Sequence, residues 1–176
     1  MVTQTLMPAD ANETVEQSFI RAFRSHPGGV VVITAVSPDG APAGFTATSL
    51  VSLSAYPPRA TFNIVKSASS WPAVTDGALL AVHFLAESSS ELAQRFAGPA
   101  ANRFTGDHWY SNDLGLPILR DAIGVLVTRV STVVPIDLNA VVVLDIQQGR
   151  FSDNYPPLLY HNRHFGTVAV QPEDVI

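Results

Sequence analysis

The stretch Phe45-Thr-Ala-Thr-Ser-Leu-Val-Ser-Leu-Ser54 constrains the fold of this chain more than any other. Apolar side chains (Phe45, Ala47, Val51, Leu53) alternate with hydroxyls (Thr46, Thr48, Ser52, Ser54), which predicts one strand with a dry face and a hydroxyl-bearing face. Ser49 and Leu50 break the phase at its centre, and a phase break predicts a bulge or a place where backbone groups turn toward a ligand. The small side chains there leave room for a flat heterocycle to approach the main chain. Tyr56-Pro-Pro58 ends the strand, because two prolines remove two donors.

The remaining pattern is also one of short strands. Val30–Val36 is a nearly continuous β-branched run that reads as a buried strand, followed by the turn Ser37-Pro-Asp-Gly40. Further strands are predicted over 61–65, 78–85, 122–134, 140–148 and 165–170. Three short helices are predicted. The first, over 14–25, opens with a capping box at Thr14–Gln17 and carries Val15, Phe19 and Phe23 on one face. The second, over 71–76, is capped by Ser70, and the third runs from a Ser88–Glu91 capping box through Ala97. Residues 98–120 read as loop with one short strand. This count implies a mostly β protein, a closed or partly closed antiparallel barrel with helical lids.

At 176 residues the chain suits one domain, with residues 1–12 as a flexible N-terminal tail and 13–176 as the domain. The tail lacks the basic start and apolar stretch of a signal peptide. No cysteine occurs, which excludes disulfides, thiolate nucleophiles and zinc–thiolate sites and suits a reducing cytoplasm. The net charge of −5, with Lys66 the only lysine and no basic run, argues against a nucleic-acid surface, and no apolar run is long enough to span a membrane. The spacing of His161 and His164 offers a metal pair without an acidic or thiolate partner, so no metal site is expected. His83, inside a predicted strand, reads as structural.

Four segments in order resemble the flavin reductase family of FMN-binding split barrels. They are His26-Pro-Gly-Gly-Val-Val-Val-Ile-Thr34, Gly44-Phe-Thr-Ala-Thr-Ser49 with Val51-Ser-Leu-Ser-Ala-Tyr-Pro-Pro58, Leu92-Ala-Gln-Arg-Phe-Ala97 with Asn102-Arg-Phe104, and Pro157-Leu-Leu-Tyr-His161. The resemblance covers about Phe19 to Phe165. It implies a Greek-key split barrel, a homodimer with flavin near the subunit interface, and NAD(P)H-dependent reduction of FMN, with FAD as the other candidate flavin. It also implies a flavin-dependent monooxygenase as partner. An FMN-binding oxidoreductase with another electron donor, or a non-catalytic flavin-binding protein, are the alternatives.

By the same resemblance, Thr46, Ala47, Thr48 and Ser49 meet the isoalloxazine ring. Ser67, Ser69 and Ser70 bind the FMN phosphate, with Ala68 standing where many relatives have serine. Loops of this kind before a helix start offer free amides to an anion. Arg95, Arg103 and Phe104 are further cofactor-binding candidates, since a guanidinium can grip phosphate bidentately, and Arg103 is preferred. Lys66 is a second phosphate candidate. No residue is assigned as catalytic, because the bound flavin carries the hydride. His161 and Asn139 are the candidates on the nicotinamide side. Two departures fall there: Asn139 replaces a family histidine, and Arg163 replaces a glycine. Asn139 can hydrogen-bond but cannot carry a positive charge, whereas Arg163 brings a cation to the same edge. The absence of a long basic motif for a 2′-phosphate favours NADH over NADPH.

Overall fold

The computed structural model describes residues 13–152 and 155–168, so the predicted tail at 1–12 and the end of the predicted strand 165–170 lie outside the described residues. Helix α1 (Val15–Ser25) leads into β1 (Gly28–Gly29) and β2 (Val31–Val36). Strands β3 (Pro42–Ala47), β4 (Val51–Ala55) and β5 (Pro58–Val65) follow, then a single 3-10 turn at Trp71–Ala73 and β6 (Leu79–Leu85). Helices α2 (Ser90–Ala97) and α3 (Ala100–Arg103) precede a small hairpin, β7 (Trp109–Ser111) and β8 (Pro117–Leu119). The long hairpin β9 (Ala122–Ile136) and β10 (Asn139–Phe151) comes next, and β11 (Leu159–His161) and β12 (His164–Gly166) close the described chain.

Seven strands form one antiparallel sheet in the order β3-β2-β6-β9-β10-β5-β4, while β1, β11 and β12 form a separate three-stranded sheet. The step from β5 to β6 passes over two strands, the non-local connection of a Greek key. β3 and β4 occupy opposite edges, yet only Thr48, Ser49 and Leu50 join them. Flat, seven strands would hold those edges roughly 29 Å apart at about 4.8 Å per strand, and the link reaches at most about 14 Å. The sheet therefore curls until its edges approach. No ladder joins β3 to β4, so the barrel stays split along that seam.

This corrects the expectation of one strand over 45–54. The phase break marks the crossing between two edges, and the predicted faces hold on β3 but not on β4. Phe45 and Ala47 pack into the barrel interior while Thr46, on the outer side, donates its hydroxyl to the Ala93 carbonyl of α2, whereas Val51 and Leu53 on β4 are 60% and 56% exposed. A strand's faces are set by what covers it, and β3 and β4 have different neighbours.

Other boundaries moved for local reasons. The Thr14–Gln17 capping box forms as expected, with both reciprocal bonds present. The Ser88–Glu91 box does not. A 3-10 turn over Glu87–Ser89 shifts the helix start, and the Ser89 hydroxyl reaches Asp121 O instead of capping. The predicted helix 71–76 shrinks to its 3-10 turn, and Ser70 makes no cap because its hydroxyl donates to Gly44 O. Residues 98–120 hold α3 and the β7–β8 hairpin rather than one strand. Strands β1 and β11, too short to carry a period, were not legible.

The barrel interior is filled by alternate residues such as Val31, Ile33, Phe62, Leu80, Val142 and Leu144. A second apolar layer lies outside the sheet, where α2 and the β7–β8 hairpin cover β2 and β6 through Val32, Leu85, Ala93, Phe96 and Leu119. His83 of β6 sits fully buried between these layers. Its Nε2 accepts from the Leu119 amide and its Nδ1–H donates to Val32 O, which fixes a neutral tautomer. Burial pushes its pKa down to about 4, against the Val32 bond, with Arg150 lowering it further. It is a structural histidine, as the sequence indicated.

Candidate active site

The curl brings the β3–β4 link beside the loop that follows β5. Ser49 ties the link to β5: the Asn63 amide donates to its Oγ at 3.0 Å, and Oγ–H points back to Asn63 O at 3.3 Å. The serine loop, Ser67–Ser70, is tied to β3 at its other end, where Ser70 Oγ donates to Gly44 O at 3.0 Å. The segments 46–49 and 67–70 thus border one patch of surface.

Arg103 organises that patch. Its Nη1 donates to Gly44 O at 2.7 Å and reaches Ser69 Oγ at 3.1 Å and Ser70 Oγ at 3.3 Å, while Nε and Nη2 both donate to Gly98 O. Burial lowers its pKa, yet a guanidinium stays charged at any ordinary pH. One Nη2 hydrogen remains for a ligand. Ser70 is buried and spends its hydroxyl hydrogen on Gly44. Ser67 and Ser69 are exposed, and Ser69 accepts from Arg103, so its own hydrogen is available for donation. Among the described residues, the amides of Ser67 and Ser69 donate to no protein acceptor. The phosphate-sized donor set is therefore Ser67, Ser69, two loop amides and the edge of Arg103. Lys66 stands next to it, with Nζ donating to Asp137 O at 2.7 Å.

Along β3 the hydroxyls contribute less than the backbone. Gly44 O points off the free edge, because Arg103 and Ser70 meet it there. In an antiparallel strand the amide and carbonyl of every second residue share a direction, so those of Thr46 also point off this edge. The Thr46 hydroxyl is committed to Ala93 O at 2.6 Å. Ala47 is buried and Thr48 exposed. Gly28 of β1 lies so close that a Cβ there would sit 3.2 Å from Thr48 O. The free edge of β3 therefore presents main-chain groups with little side chain in front of them.

The other candidates separate. Phe104 packs edge-on between Phe96 and Trp109, and its ring supports Gly44 from behind, where an added Cβ would meet Phe104 Cζ at 3.1 Å. Its ring is committed to packing. Arg95 donates to Asn102 O and to Thr105 and faces a separate cleft of about 720 Å³ with Glu91, Asp107 and Arg120. Asn139 pairs with Val65 and Ile136, and its side chain shares their exposed outer face of the sheet. His161 opens onto a cavity lined by Pro27, His164 and Phe165. Its neighbour Tyr160, across the pleat, lines the cavity that contains Thr48, together with Arg163. Nothing in the single chain brings Asn139 to His161. Sequence reasoning assigned no role to Gly28, Gly44, Asn63 or Tyr160; the first three contribute through backbone contacts that leave no side-chain pattern, and Tyr160 through a cavity that only the fold assembles.

Residues 23–169 match the family model for the flavin reductase like domain. The chain belongs to the flavin reductase family. It is 37% identical over 145 residues to an NADH:FMN oxidoreductase of Rhodococcus qingshengii, covering 80% of this chain and 75% of that protein. It is 32% identical over 117 residues to the flavin-dependent monooxygenase reductase subunit HsaB of Mycobacterium tuberculosis (strain CDC 1551 / Oshkosh), covering 64% and 62%. Among solved structures, a flavin reductase domain protein from Arthrobacter sp. FB24 superposes with a TM-score of 0.84 at 41% identity, covering 91% of this chain and 99% of that one. The split sheet and the order of the four sequence segments are thus those of this family. No helix among the described residues is long and apolar enough to cross a membrane.

Proposed function

We propose that the chain is an NADH-dependent FMN reductase that supplies reduced flavin to a separate monooxygenase component in the cytoplasm. The observation that carries this reading is the serine loop, where exposed hydroxyls and unpaired amides stand beside a guanidinium that holds the loop to the free edge of β3. The donor set fits FMN: an anion finds several N–H and O–H donors, and a flat ring edge finds small residues and main-chain groups at Thr46–Ser49. Bound FMN supplies the chemistry, accepting hydride from a reduced nicotinamide. The chain's residues bind and orient. Ser67 and Ser69 hold the phosphate, Arg103 fixes the loop and lends one hydrogen, and the β3 edge aligns the ring. Hydride transfer depends on such alignment, so the site requires no acid–base pair. The names of the Rhodococcus and Mycobacterium relatives support NADH, FMN and a monooxygenase partner for this chain.

A homodimer completes the reading. The outer faces of β4, β5 and β9 present Val51, Val65, Val134 and Ile136, all exposed, and Leu138 is exposed in the β9–β10 turn. Register places Val65, Asn139 and Ile136 abreast, and likewise Asn63, Val141 and Val134. An apolar face of this extent on a lone chain calls for a cover, and a second copy supplies one that brings Asn139 into a shared interface.

Anaerobic mixing of the protein with FMN and either nucleotide tests the function. We expect saturable FMN binding, and bleaching of the oxidised-flavin absorbance by NADH more than by NADPH. No binding at tens of micromolar FMN, about 6 kcal/mol, or no bleaching by either nucleotide, overturns it. Arg103→Ala should weaken FMN by about 1.5–3 kcal/mol and riboflavin less. An equal loss for both ligands would remove the serine loop from the phosphate site.

A further inference from the structure

Four successive carbonyls at the end of α3, from Asn102 to Thr105, each accept a hydrogen from a side chain. Asn102 O accepts from Arg95 Nη1 at 3.3 Å and from Thr105 Oγ1 at 2.9 Å. Arg103 O accepts from His108 Nε2 at 2.9 Å, and Phe104 O from Trp109 Nε1 at 2.9 Å. Thr105 O accepts from Arg95 Nη1 at 3.2 Å. A carbonyl can only accept, so His108 Nε2 carries the hydrogen. The last carbonyls of a helix have no partner inside it, and α3, with four residues, has little backbone bonding of its own to fix its end. Apart from Thr105, the donors come from α2 and from the start of the β7–β8 hairpin.

That hairpin is itself anchored to the barrel. The Leu119 amide of β8 donates to the buried His83 Nε2 at 3.1 Å, and the Thr34 hydroxyl of β2 donates to Pro117 O. The Arg120 amide donates to His108 O at 3.0 Å, which ties the start of β7 to the end of β8. Both donor rings are packed. Trp109 lies edge-on to Phe104 at 5.3 Å, and His108 lies edge-on to Phe96 at 6.1 Å. Contacts therefore run from β2 and β6 through the hairpin to the backbone of Arg103. Its Nη1 spans Gly44 O, Ser69 Oγ and Ser70 Oγ at 2.7, 3.1 and 3.3 Å. The two serine bonds are the longer ones, so a small displacement of the Arg103 backbone breaks them first.

We propose that His108 and Trp109 are positioning residues for the flavin phosphate. Their ring N–H groups fix the backbone at Arg103 and Phe104, and through it the guanidinium that braces the serine loop. His108 faces the separate cleft beside Arg95, and Trp109 packs in the apolar layer under α2, so both act through Arg103 rather than on the ligand. A binding group keeps its geometry only where its neighbours lock it. The proposal rests on the flavin-binding reading and adds to it a requirement that the serines alone do not impose, an intact β7–β8 hairpin.

The test titrates the full chain with FMN and with riboflavin, which shares the ring and lacks the phosphate. Trp109→Phe keeps the aromatic packing and deletes one donor. His108→Leu deletes the other, and His108→Gln restores a donor at similar reach. Trp109→Phe and His108→Leu should each weaken FMN about fivefold to tenfold and riboflavin by less than about twofold. His108→Gln should recover most of the loss. In an Arg103→Ala background, Trp109→Phe should cost no further FMN affinity, because the group it positions is gone. In ligand-free protein the Arg103 Nε–H, which donates to Gly98 O at 3.0 Å, should exchange slowly in the wild type and quickly in Trp109→Phe. Equal losses for FMN and riboflavin overturn the proposal. So does an undiminished effect of Trp109→Phe without Arg103, or variants that melt earlier and bind FMN as before. If the wild type binds no FMN, the flavin reading fails, whereas Nε–H exchange still reports whether the hairpin holds the guanidinium.

Discussion

Strand β2 (Val-Val-Ile-Thr-Ala-Val) and the start of β10 (Asn-Ala-Val-Val-Val-Leu) read almost alike, yet β2 is buried on both faces and β10 on only one. The outer face of β2 lies beneath α2 and the β7–β8 hairpin, where Thr34 donates to Pro117 O and Val32 packs with Phe96 and Leu119. Beside Val141 and Val143 of β10 the outer face carries Val65, Val134 and Ile136, which no described residue covers. A continuous apolar strand signals two covered faces. Where the described residues cover only one, the bare face is the one the proposed dimer would bury.

A charge placed on each outer face breaks this comparison most directly. Val32→Asp should abolish folding, because an unpaired buried carboxylate costs several kcal/mol against a total stability of about 5–15 kcal/mol. Val141→Asp should leave a folded monomer and weaken dimerisation by about 100-fold or more, near 3 kcal/mol. Circular dichroism and light scattering check both. If Val141→Asp also unfolds the chain, or stays dimeric, the bare half is not the interface.

Gly44→Val probes the covered half by steric means. A Cβ at Gly44 would sit 3.0 Å from Ile33 O and Phe96 Cε1, both held by neighbouring structure. Denaturant titration should show a loss of about 3 kcal/mol. Ser52→Val, on the exposed edge strand β4, should change monomer stability by less than about 0.5 kcal/mol.

His83 gives the covered half a pH dependence. Its folded pKa of about 4 lies below the unfolded value of 6.5, so between those values the unfolded chain binds a proton that the folded chain refuses. The stabilisation is complete above pH 6.5 and is lost as pH falls toward 4, by at most about 3 kcal/mol. Urea titrations across that window should show the slope, and His83→Gln should flatten it. An unchanged slope in the variant would assign the acid sensitivity elsewhere.

A small, local effect is expected at the seam between the halves. Ser49→Ala removes the bond from the link to Asn63 and should cost about 1 kcal/mol. Hydrogen exchange at the Asn63 amide should quicken, while amides of β2 stay protected.

The two segments that border the candidate site were legible because they are local strings. The pattern of small and hydroxyl residues at 44–49 and the serines at 67–70 lie within a few residues of one another in sequence. The role of each hydroxyl was not legible. The Thr46 hydroxyl is committed because α2 packs on the outer side of β3, and Ser70 spends its donor because Gly44 O and Arg103 converge on it. That Phe104 props Gly44, a contact between residues sixty positions apart, was not legible either.

By itself, then, the sequence determined the strand-rich class, the first helix with its capping box, the buried character of β2 and the two segments that border the site. These follow from periodicity, capping and turn chemistry, all of which act over a few residues. Tertiary structure alone decided that 45–54 is two strands on opposite edges, that the edges meet at a three-residue link, and that Arg103 locks the serine loop. It also decided which apolar strand face stays bare. Each of these depends on contacts between segments far apart in the chain. There the energy comes from covering a surface, and the pattern on a strand says that a face needs covering without saying what will cover it.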